Sequence, residues 1–365
     1  MNNAQLTDCP QDTFFKLYAK GFVRTWILKK CLGKGGPKSA APLWMQEQIQ
    51  SDLAPFSRVD VTKEAIDRTW NLHHKKWELL RVKIVNNRLF LQSECPDMLR
   101  VSYLKGGFEA LARWISLPDA DFLLSLSDSL DGISPDVPIF AFANNPKLSS
   151  RIVLMPDREA LSGRYWKFLR SVEKAKRFFP WEKKIEQCCW RGTMTGGLFT
   201  PLNFLTFPRS QSILLSLKNP DWFDARYVAS SAIRNALKEY SSYFGNSMSI
   251  EEQIQYKYQL LIDGHSCAYS RAYWQLFSNC LLFKQQSDAV QWYYGALIPF
   301  VHYVPIKSDL SDLIEKIQWA KSHDREVQNI SLKAQEFARE NLTFERIFQY
   351  MHLLLLEYSK LQKIK

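Results

Sequence analysis

The chain has 365 residues, of which 46% are apolar and 23% are charged. At roughly 150 residues per domain, this length predicts two domains, and the composition excludes an intrinsically disordered protein. No apolar run approaches the ~18 residues of a membrane-spanning helix. Seven cysteines without a CxxC pair argue against both a disulfide framework and a zinc site.

The formal net charge of +11 is unevenly distributed. Residues 1–184 contain 29 bases and 20 acids, a difference of +9, whereas residues 185–365 contain 19 bases and 17 acids, a difference of +2. Such an excess indicates an anionic ligand, a membrane surface or nucleic acid as a partner. The N-terminus shows no basic segment followed by an apolar core, so we expect a cytoplasmic protein rather than a secreted one.

Residues 1–50 predict a basic amphipathic helix. Aromatic side chains fall on one helical face and bases on another: Phe15, Tyr18, Phe22 and Trp26 against Lys16, Lys20 and Arg24. Such a helix can lie on an anionic membrane, which makes the basic residues within 16–38 a candidate peripheral contact. A helix that docks on the protein with its basic face in water is the commoner structure, and Leu17, Val23 and Ile27 off the aromatic face favour it.

The rest of the first half mixes strands and helices. The pattern predicts a hairpin at 81–93, a helix at 108–116 and a buried strand at 121–128. A polar loop at 127–138 and a short apolar run at 138–144 follow, and 164–184 is predicted to be a basic, partly helical segment. The hairpin turns at Asn86-Asn87. A buried strand that runs into a carboxylate-bearing loop is where α/β proteins place active sites.

The second half alternates regularly after a turn-rich segment at 188–197. Predicted strands lie at 212–217, 256–264, 280–285 and 302–306. Predicted helices lie at 230–240, 270–279, 289–299, 308–324 and 343–362, the last two beginning at the N-cap residues Ser308 and Thr343. Strands that alternate with helices imply parallel sheets, so the chain as a whole predicts two Rossmann-like halves.

Two segments of the second half carry groups suited to an anion. CWRGTMTGG offers Arg191, Thr193 and backbone amides around three glycines, although a structural turn explains it equally well. In IDGHSCAYSRAYWQLF, a strand ends at Gly264 and a helix begins near Ser270, whose free N–H groups and dipole suit a phosphate. Arg271 adds a fork of donors there; the alternative is a solvated surface arginine beside an N-cap serine.

Together with PRSQSILLSLKNPDWFDARY and LLFKQQSDAVQWYYGALIPFVHYVPIKSDLSDLIEKIQWAKSHD, these segments resemble glycosyltransferase family 90. The resemblance covers roughly residues 115–365, and HYVPIKSDLSDL is its most specific motif. It implies an α/β fold of the GT-B type, with two Rossmann-like domains facing a central cleft and a C-terminal helix that crosses back. We therefore expect an acceptor-side domain at 1–184, joined by 336–365, and a nucleotide-sugar domain at 185–335.

The resemblance also implies an inverting transfer of a hexose or pentose from a UDP-sugar, with no metal and no cofactor. The family's catalytic aspartate, which follows a Leu-Pro-Asp segment and a strand, matches Asp128. The donor-binding positions are Arg191, Thr193, Arg209, Gly264, Ser270, Arg271 and Gln291. Arg209 and Arg271 match arginines that contact the donor diphosphate. Gln291 is a departure, because relatives often carry glutamate in that segment, and it bears on the donor preference.

Elementary chemistry agrees with these roles. An inverting displacement needs one general base for the acceptor hydroxyl, and arginines with a helix N-terminus can stabilise the departing diphosphate in place of a metal. Without the resemblance, Asp128 at a strand end would be a loop cap. The Asp119-Ala120-Asp121 triplet resembles a metal-binding DxD, but it precedes its strand and predicts a turn instead.

The absence of signal and retention sequences favours a bacterial cytoplasmic enzyme of lipopolysaccharide or surface-glycan assembly, peripheral on the inner face of the membrane. The alternative acceptor is a protein, which would make the chain a protein O-glucosyl- or xylosyltransferase. A non-enzymatic nucleic-acid-binding protein is a distant alternative suggested by the pI of 9.2. The chain contains no RNP, helix-turn-helix or OB signature, so we expect no nucleic-acid partner. The +9 of the first half points to an anionic glycolipid or membrane face.

Overall fold

The structure, a computed structural model, describes residues 36–363 except Pro96, Ser129, Asp131 and Gly132. The predicted N-terminal amphipathic helix lies outside the described residues. The chain divides into two compact units. Unit 1 comprises the described part of Met1–Arg164, the segment Val290–Gly295 and the described part of Thr343–Lys365, and unit 2 comprises Tyr165–Ala289 and Ala296–Leu342.

Helices and strands of the described residues are numbered in chain order. The α-helices are α1 (Leu43–Leu53), α2 (Lys63–His73), α3 (Met98–Trp114), α4 (Arg158–Leu161), α5 (Trp166–Phe178), α6 (Pro208–Lys218), α7 (Ser231–Ala236), α8 (Ile250–Gln253), α9 (Tyr269–Phe277), α10 (Leu313–Ser322), α11 (Asp324–Asn341) and α12 (Phe344–Ser359). The strands are β1 (Val61–Thr62), β2 (Leu79–Val85), β3 (Arg88–Ser93), β4 (Ala120–Ser125), β5 (Ile139–Ala141), β6 (Ile152–Leu154), β7 (Ile185–Gly192), β8 (Phe223–Tyr227), β9 (Tyr256–Leu261), β10 (Leu281–Gln285), β11 (Val304–Ile306) and β12 (Gln362–Lys363).

Unit 1 is built on a mixed sheet with the strand order β3-β2-β4-β5-β6. Strands β4, β5 and β6 are parallel, whereas β2 is antiparallel to both of its neighbours. The predicted hairpin β2–β3 is confirmed, with Asn86 and Asn87 at φ values of 49° and 61°. Asparagine tolerates this left-handed conformation, which two-residue hairpin turns require.

The C-terminal helix α12 belongs to unit 1. The Tyr350 hydroxyl donates to the Leu154 carbonyl at the end of β6, and the Tyr358 hydroxyl donates to the Asp121 carbonyl in β4, each at 3.0 Å. One face of α12 is buried against the sheet of unit 1, because its apolar side chains recur at helical spacing. The last helix therefore returns to the N-terminal half of the chain.

Unit 2 is built on a parallel sheet with the strand order β11-β10-β9-β7-β8. Its core is formed by buried side chains of β7, β8, β9, β10 and β11 and of the helices that follow them. The predicted α/β class with two Rossmann-like halves is confirmed. Unit 1 departs from a purely parallel sheet only because its hairpin adds two strands at one edge.

Two predictions around residues 188–217 are wrong. Residues 212–217 form part of α6 and not a strand, and Cys188–Gly192 belongs to β7 and not to a turn. A short apolar run cannot distinguish a buried helix from a strand, but Pro208 at the first helical position is a helix start signal. The strand that follows β7 in the chain is β8, which pairs with one edge of β7 and in which buried and partly buried residues alternate.

Two further predictions are corrected. Residues 289–299 form no α-helix but a single 3₁₀ turn at Tyr294–Ala296. Helix α10 begins at Leu313, with Asp312 and not Ser308 at its N-cap position. The reason lies at Leu310, whose φ of 61° interrupts any helical turn that starts at Ser308.

The boundary between the units falls between Arg164 and Tyr165, whereas the sequence predicts one at 184/185. Helix α5 lies in unit 2 because it packs against α8 and α9. Among the described residues, no helix combines the length and apolarity needed to cross a bilayer.

The Thr343 hydroxyl accepts a hydrogen bond from the Arg346 backbone N–H at 3.3 Å and caps α12. We expect Thr343→Ala to lower the free energy of unfolding by about 1 kcal/mol in urea titrations, because an N–H group at the helix start loses its partner. The matched control is Ser308→Ala, which removes an exposed hydroxyl at the predicted but unused cap position. Its effect should stay within about 0.5 kcal/mol. Equal losses in both variants would contradict the assigned cap.

Candidate active site

The strand order of unit 2 reverses between β7 and β9, because the chain leaves β7 for β8 on one side and returns to β9 on the other. In open α/β sheets, ligands bind outside the carboxyl ends of the strands at such a point. Strand β7 ends at Gly192 and β9 ends at Leu261. The loops at 193–197 and 262–268 therefore lie at the edge where a ligand is expected.

The Arg209 side chain joins these two loops. It is 9% exposed and lies in the first turn of α6. Its Nε donates to the Asp263 carbonyl at 3.0 Å, its Nη1 donates to the Thr193 carbonyl at 2.8 Å and to the Thr195 hydroxyl, and its Nη2 donates to the Ile262 carbonyl at 3.3 Å. Because the acceptors come from both loops, the guanidinium fixes the position of one loop relative to the other. The acceptors are carbonyls and a hydroxyl, so no hydrogen-bonded carboxylate among the described residues neutralises its charge.

A second guanidinium, that of Arg271, lies in the first turn of α9. It donates to the Gln253 side chain at 3.0 Å and to the Arg191 carbonyl at the end of β7. Burial, together with the nearby charge of Arg209, lowers the pKa of Arg271 to about 10. Burial also lowers the pKa of Arg209. Guanidinium groups stay protonated at neutral pH, and two like charges close together, one buried and one partly buried, favour an anion between or beside them.

The indole of Trp190 lies against both guanidiniums. The Cζ atom of Arg209 is 5.5 Å from its ring centroid and that of Arg271 is 5.9 Å away. Trp190 is fully buried, and its ring fills the space beside Gly192, where an added Cβ would lie 2.4 Å from a ring carbon. The π-face of the Trp190 ring stabilises both cations. Residues two apart in a strand lie on the same side of it, so the Trp190 ring occupies the space of a side chain at position 192, and only glycine fits there.

The predicted donor residue Arg191 differs from these two arginines in its electrostatics. Its Nη2 lies 2.7 Å from an Asp224 carboxylate oxygen, and its side chain is 11% exposed. Its charge is therefore paired within the protein, and its carbonyl orients Arg271. The buried Nε of Arg191 has no hydrogen-bond partner among the described residues.

Three further predicted residues lie at the same edge. Thr193 has an exposed side chain, while its carbonyl accepts from Arg209. At Gly264, an added Cβ would lie 2.5 Å from the Thr195 hydroxyl and 2.9 Å from Arg209 Nη2, so only glycine allows the two loops to approach. Ser270 is the second residue of α9, a helix whose N-cap, Ala268, provides no side-chain cap. The first N–H groups of α9 thus suit an anion.

Gln291 is not part of this cluster. It belongs to the segment Val290–Gly295 of unit 1, is 2% exposed, and donates from its side-chain amide to the Tyr294 hydroxyl at 2.9 Å. Because the Gln291 amide is buried and bonded within its own segment, its role is to fix the conformation of Val290–Gly295. The backbone of this segment is held by mutual hydrogen bonds between Asn144 and Val290.

Asp128 lies in unit 1, just past the fully buried strand β4. Its side chain is 37% exposed, and one carboxylate oxygen lies 3.6 Å from an Arg158 guanidinium nitrogen. Arg158 begins α4, which follows β6. Because β4 and β6 belong to the same parallel set, their carboxyl ends share one sheet edge, which brings the carboxylate and the guanidinium together.

The Asp119-Ala120-Asp121 triplet lies at the opposite end of β4. Asp121 is 1% exposed and forms a two-pronged ion pair with Arg81, at 2.7 and 2.8 Å. Asp119 accepts from the Asn86 backbone N–H in the hairpin turn. Both carboxylates are used in the structure of unit 1. Within the described residues, no group of three or more histidine, cysteine, aspartate or glutamate side chains has metal-binding geometry.

The structure thus brings together part of the predicted site. At the switch point of unit 2 lie Arg191, Thr193, Arg209, Gly264, Ser270 and Arg271. Asp128 and Gln291 belong to unit 1. Sequence reasoning missed Trp190 and Gln253, which hold the arginines. The Trp-x-Gly spacing signals the role of Trp190, because residues two apart share a face of a strand, whereas nothing local signals Gln253.

An open, doubly wound sheet with two arginines at its switch point defines an α/β protein whose sheet edge is suited to an anionic ligand. A sequence model of glycosyl transferase family 90 matches residues 40–365, and the chain belongs to that family. This confirms the resemblance found in the sequence.

Curated relatives agree with the family. The chain is 30% identical over 331 residues to protein O-glucosyltransferase 2 of Danio rerio, covering 87% of this chain and 62% of that protein. It is 28% identical over 333 residues to human protein O-glucosyltransferase 3, covering 88% of this chain and 62% of that protein. It therefore spans about three fifths of the length of these relatives.

A solved structure, the sucrose-phosphate synthase of Thermosynechococcus elongatus, aligns at 10% identity with a TM-score of 0.37. The alignment covers 61% of this chain and 58% of the synthase.

The packing of Trp190 against Gly192 leads to a stability prediction. We expect Gly192→Ala to lower the free energy of unfolding by about 1–3 kcal/mol, because a methyl group 2.4 Å from the buried ring forces a shift. The measurement is urea unfolding followed by circular dichroism. The matched control is Gly106→Ala in α3, where an added Cβ meets no atom within 4 Å, and its helix should gain about 0.5–1 kcal/mol. A neutral effect of Gly192→Ala would contradict the assigned packing.

Proposed function

We propose that the protein is an inverting glycosyltransferase that moves a hexose or pentose from a UDP-sugar to a hydroxyl acceptor, without a metal or other cofactor. The observation that carries the proposal is the pair of guanidiniums at the switch point of unit 2, that of Arg209, which is buried, and that of Arg271, which is partly buried. Family membership and the names of the relatives support transfer of a sugar. A diphosphate suits the pair, because guanidinium donors match phosphate oxygens.

The proposed reaction needs a base and a stabilised leaving group. The Asp128 carboxylate accepts the proton of the acceptor hydroxyl while that oxygen attacks the anomeric carbon and the bond from this carbon to the UDP oxygen breaks. UDP departs with the bonding electrons. The charge that develops on its diphosphate is stabilised by Arg209, Arg271 and the N-terminus of α9. Arg158, 3.6 Å from Asp128, positions the carboxylate.

Two acceptors are supported by different observations. The relatives named protein O-glucosyltransferases favour a hydroxyl on a protein. The net charge of +9 in residues 1–184 favours an anionic glycolipid of lipopolysaccharide or surface-glycan assembly. With that acceptor, the protein would be a cytoplasmic enzyme that is peripheral on the membrane. Measuring UDP release with a panel of UDP-sugars, in the presence of either lipid or folded-protein acceptors, distinguishes them. No turnover and no UDP binding with any donor would refute the proposed function.

Arg271→Ala tests the donor site. We expect UDP affinity, measured by isothermal titration calorimetry, to fall about ten- to a hundredfold, because a charge-assisted hydrogen bond to a phosphate is lost. Arg271→Lys keeps the charge without the fork and should bind with intermediate affinity. Arg325→Ala removes an exposed guanidinium of α11 and serves as the control with unchanged affinity. Wild-type affinity in a folded Arg271→Ala variant would exclude this residue from the donor site.

Asp128→Asn tests the base. We expect kcat to fall about 10²–10⁴-fold while UDP affinity stays unchanged, because an amide cannot accept the acceptor's proton. The matched control is Asp136→Asn, an exposed carboxylate that lies 3.7 Å from an arginine of α2. It should turn over like the wild type. Activity of Asp128→Asn close to that of the control would assign the base to another residue.

A further inference from the structure

One face of α5 carries a cluster of exposed bases bordered by exposed aromatic rings. Successive residues of an α-helix are ~100° apart, so the side chains of this face fall within an arc of roughly 120°. We call this arc the basic face of α5, and it consists of Trp166, Arg177, Arg170, Lys174, Lys167 and Phe178, in that order around the helix. All six are exposed, with Trp166 at 37% and Phe178 at 64%.

The helix that presents this face is fixed to unit 2. On its opposite side, Val172 and Ala175 are buried at 0% and 1% exposure, and α5 packs against α8 and α9. The fifth base of the helix, Lys176, points away from the basic face. Its Nζ lies 3.1 Å from Glu173 and donates to the Phe277 carbonyl, and burial lowers its pKa. The packed side therefore holds the basic face outward in a fixed orientation.

The charge of the basic face is not neutralised locally. Glu173 is the one acid of α5, lies just outside the arc, and is paired with Lys176 and, at 3.9 Å, with Arg339. Within the described part of the chain, none of the four bases has a carboxylate oxygen within the 4.0 Å of an ion pair. The neighbouring helix α8 carries Glu251 and Glu252, and the Glu252 carboxylate accepts from the Ser249 backbone N–H at 2.6 Å.

We propose that the basic face of α5 binds the anionic surface of a lipid bilayer. Four bases on one side of a helix attract acidic headgroups, and each contributes about a fivefold increase in binding. Aromatic rings at both borders of such a face are the groups that insert at the headgroup level of a membrane. Single-stranded nucleic acid is a less suitable partner, because its backbone follows a groove in the protein that is lined with basic side chains, whereas this face is the convex side of a helix.

The inference names a membrane-binding surface for the peripheral enzyme of the proposed function, but it rests on no step of sugar transfer. Binding to a vesicle requires neither a UDP-sugar nor an acceptor, so loss of vesicle binding and loss of sugar transfer are separate observations. Residues 1–35 have the same sequence in every variant below, so any contribution from them is constant across the comparison.

The test is co-sedimentation of the full chain with phosphatidylcholine vesicles, with and without phosphatidylglycerol, at low and high salt. The test variant replaces Lys167, Arg170, Lys174 and Arg177 with glutamine. The control variant replaces four exposed bases elsewhere in unit 2, Lys218, Lys238, Arg325 and Lys333, with glutamine, and it changes the net charge equally. We expect the wild type and the control to bind only vesicles that contain phosphatidylglycerol, and the test variant to bind them at least about tenfold more weakly.

A second variant separates attraction from insertion. Trp166→Ser combined with Phe178→Ser keeps all four bases, so we expect binding that is weaker than that of the wild type and that high salt abolishes completely. Equal binding by the test variant and the wild type, equal loss in the control variant, or binding that does not require phosphatidylglycerol would each overturn the proposal. Tighter binding to a single-stranded oligonucleotide than to anionic vesicles, lost in the test variant, would assign the face to nucleic acid instead.

Discussion

The candidate site depends on one interaction, the insertion of the Arg209 guanidinium between the loops that follow β7 and β9. Loops at the carboxyl edge of a sheet carry backbone carbonyls that the strand ladder no longer pairs, and a buried carbonyl without a donor is costly. Arg209 supplies donors to carbonyls of both loops at once. Gly264 permits the close approach, because any side chain there would overlap the guanidinium. A positive charge is thereby buried where the sheet has its ligand-binding edge.

That arrangement has an electrostatic consequence for the whole edge. Arg271 lies close enough to Arg209 for the two charges to affect each other, and neither forms an ion pair with a carboxylate in the described part of the chain. Arg191, one residue from Trp190, is instead paired with Asp224. At this edge, Arg209 and Arg271 therefore carry charges without an ion pair among the described residues, and such charges favour an anionic ligand. Arg191 differs from them, because its charge is paired within the protein. Trp190 makes this possible by contacting both of the unpaired guanidiniums.

Charge elsewhere in the chain is organised differently. The pair of Asp128 and Arg158 lies at the carboxyl edge of the unit 1 sheet, half-exposed and local. Four bases of α5, those of its basic face, are instead spread along one outward face with aromatic borders. Positive charge is therefore arranged in two ways in this chain. Single buried arginines suit a small anion, and a stripe of exposed bases suits an extended one.

Local sequence determined those features whose physics is local. Asn86-Asn87 turns a hairpin because both residues tolerate positive φ, and Thr343 caps α12 because its hydroxyl reaches an N–H three residues on. The family resemblance rested on contiguous motifs, above all HYVPIKSDLSDL. Only the tertiary structure decided that 212–217 is a helix, since an apolar run fits either element until its partners are known. The same holds for the site. The sequence singled out Arg209 and Arg271. Contacts between residues distant in sequence decide what holds them, namely loop carbonyls, Gln253 and Trp190. Such contacts also decide that Asp224 neutralises Arg191 and that Gln291 is buried in unit 1. Such contacts depend on strand order, which no local pattern encodes.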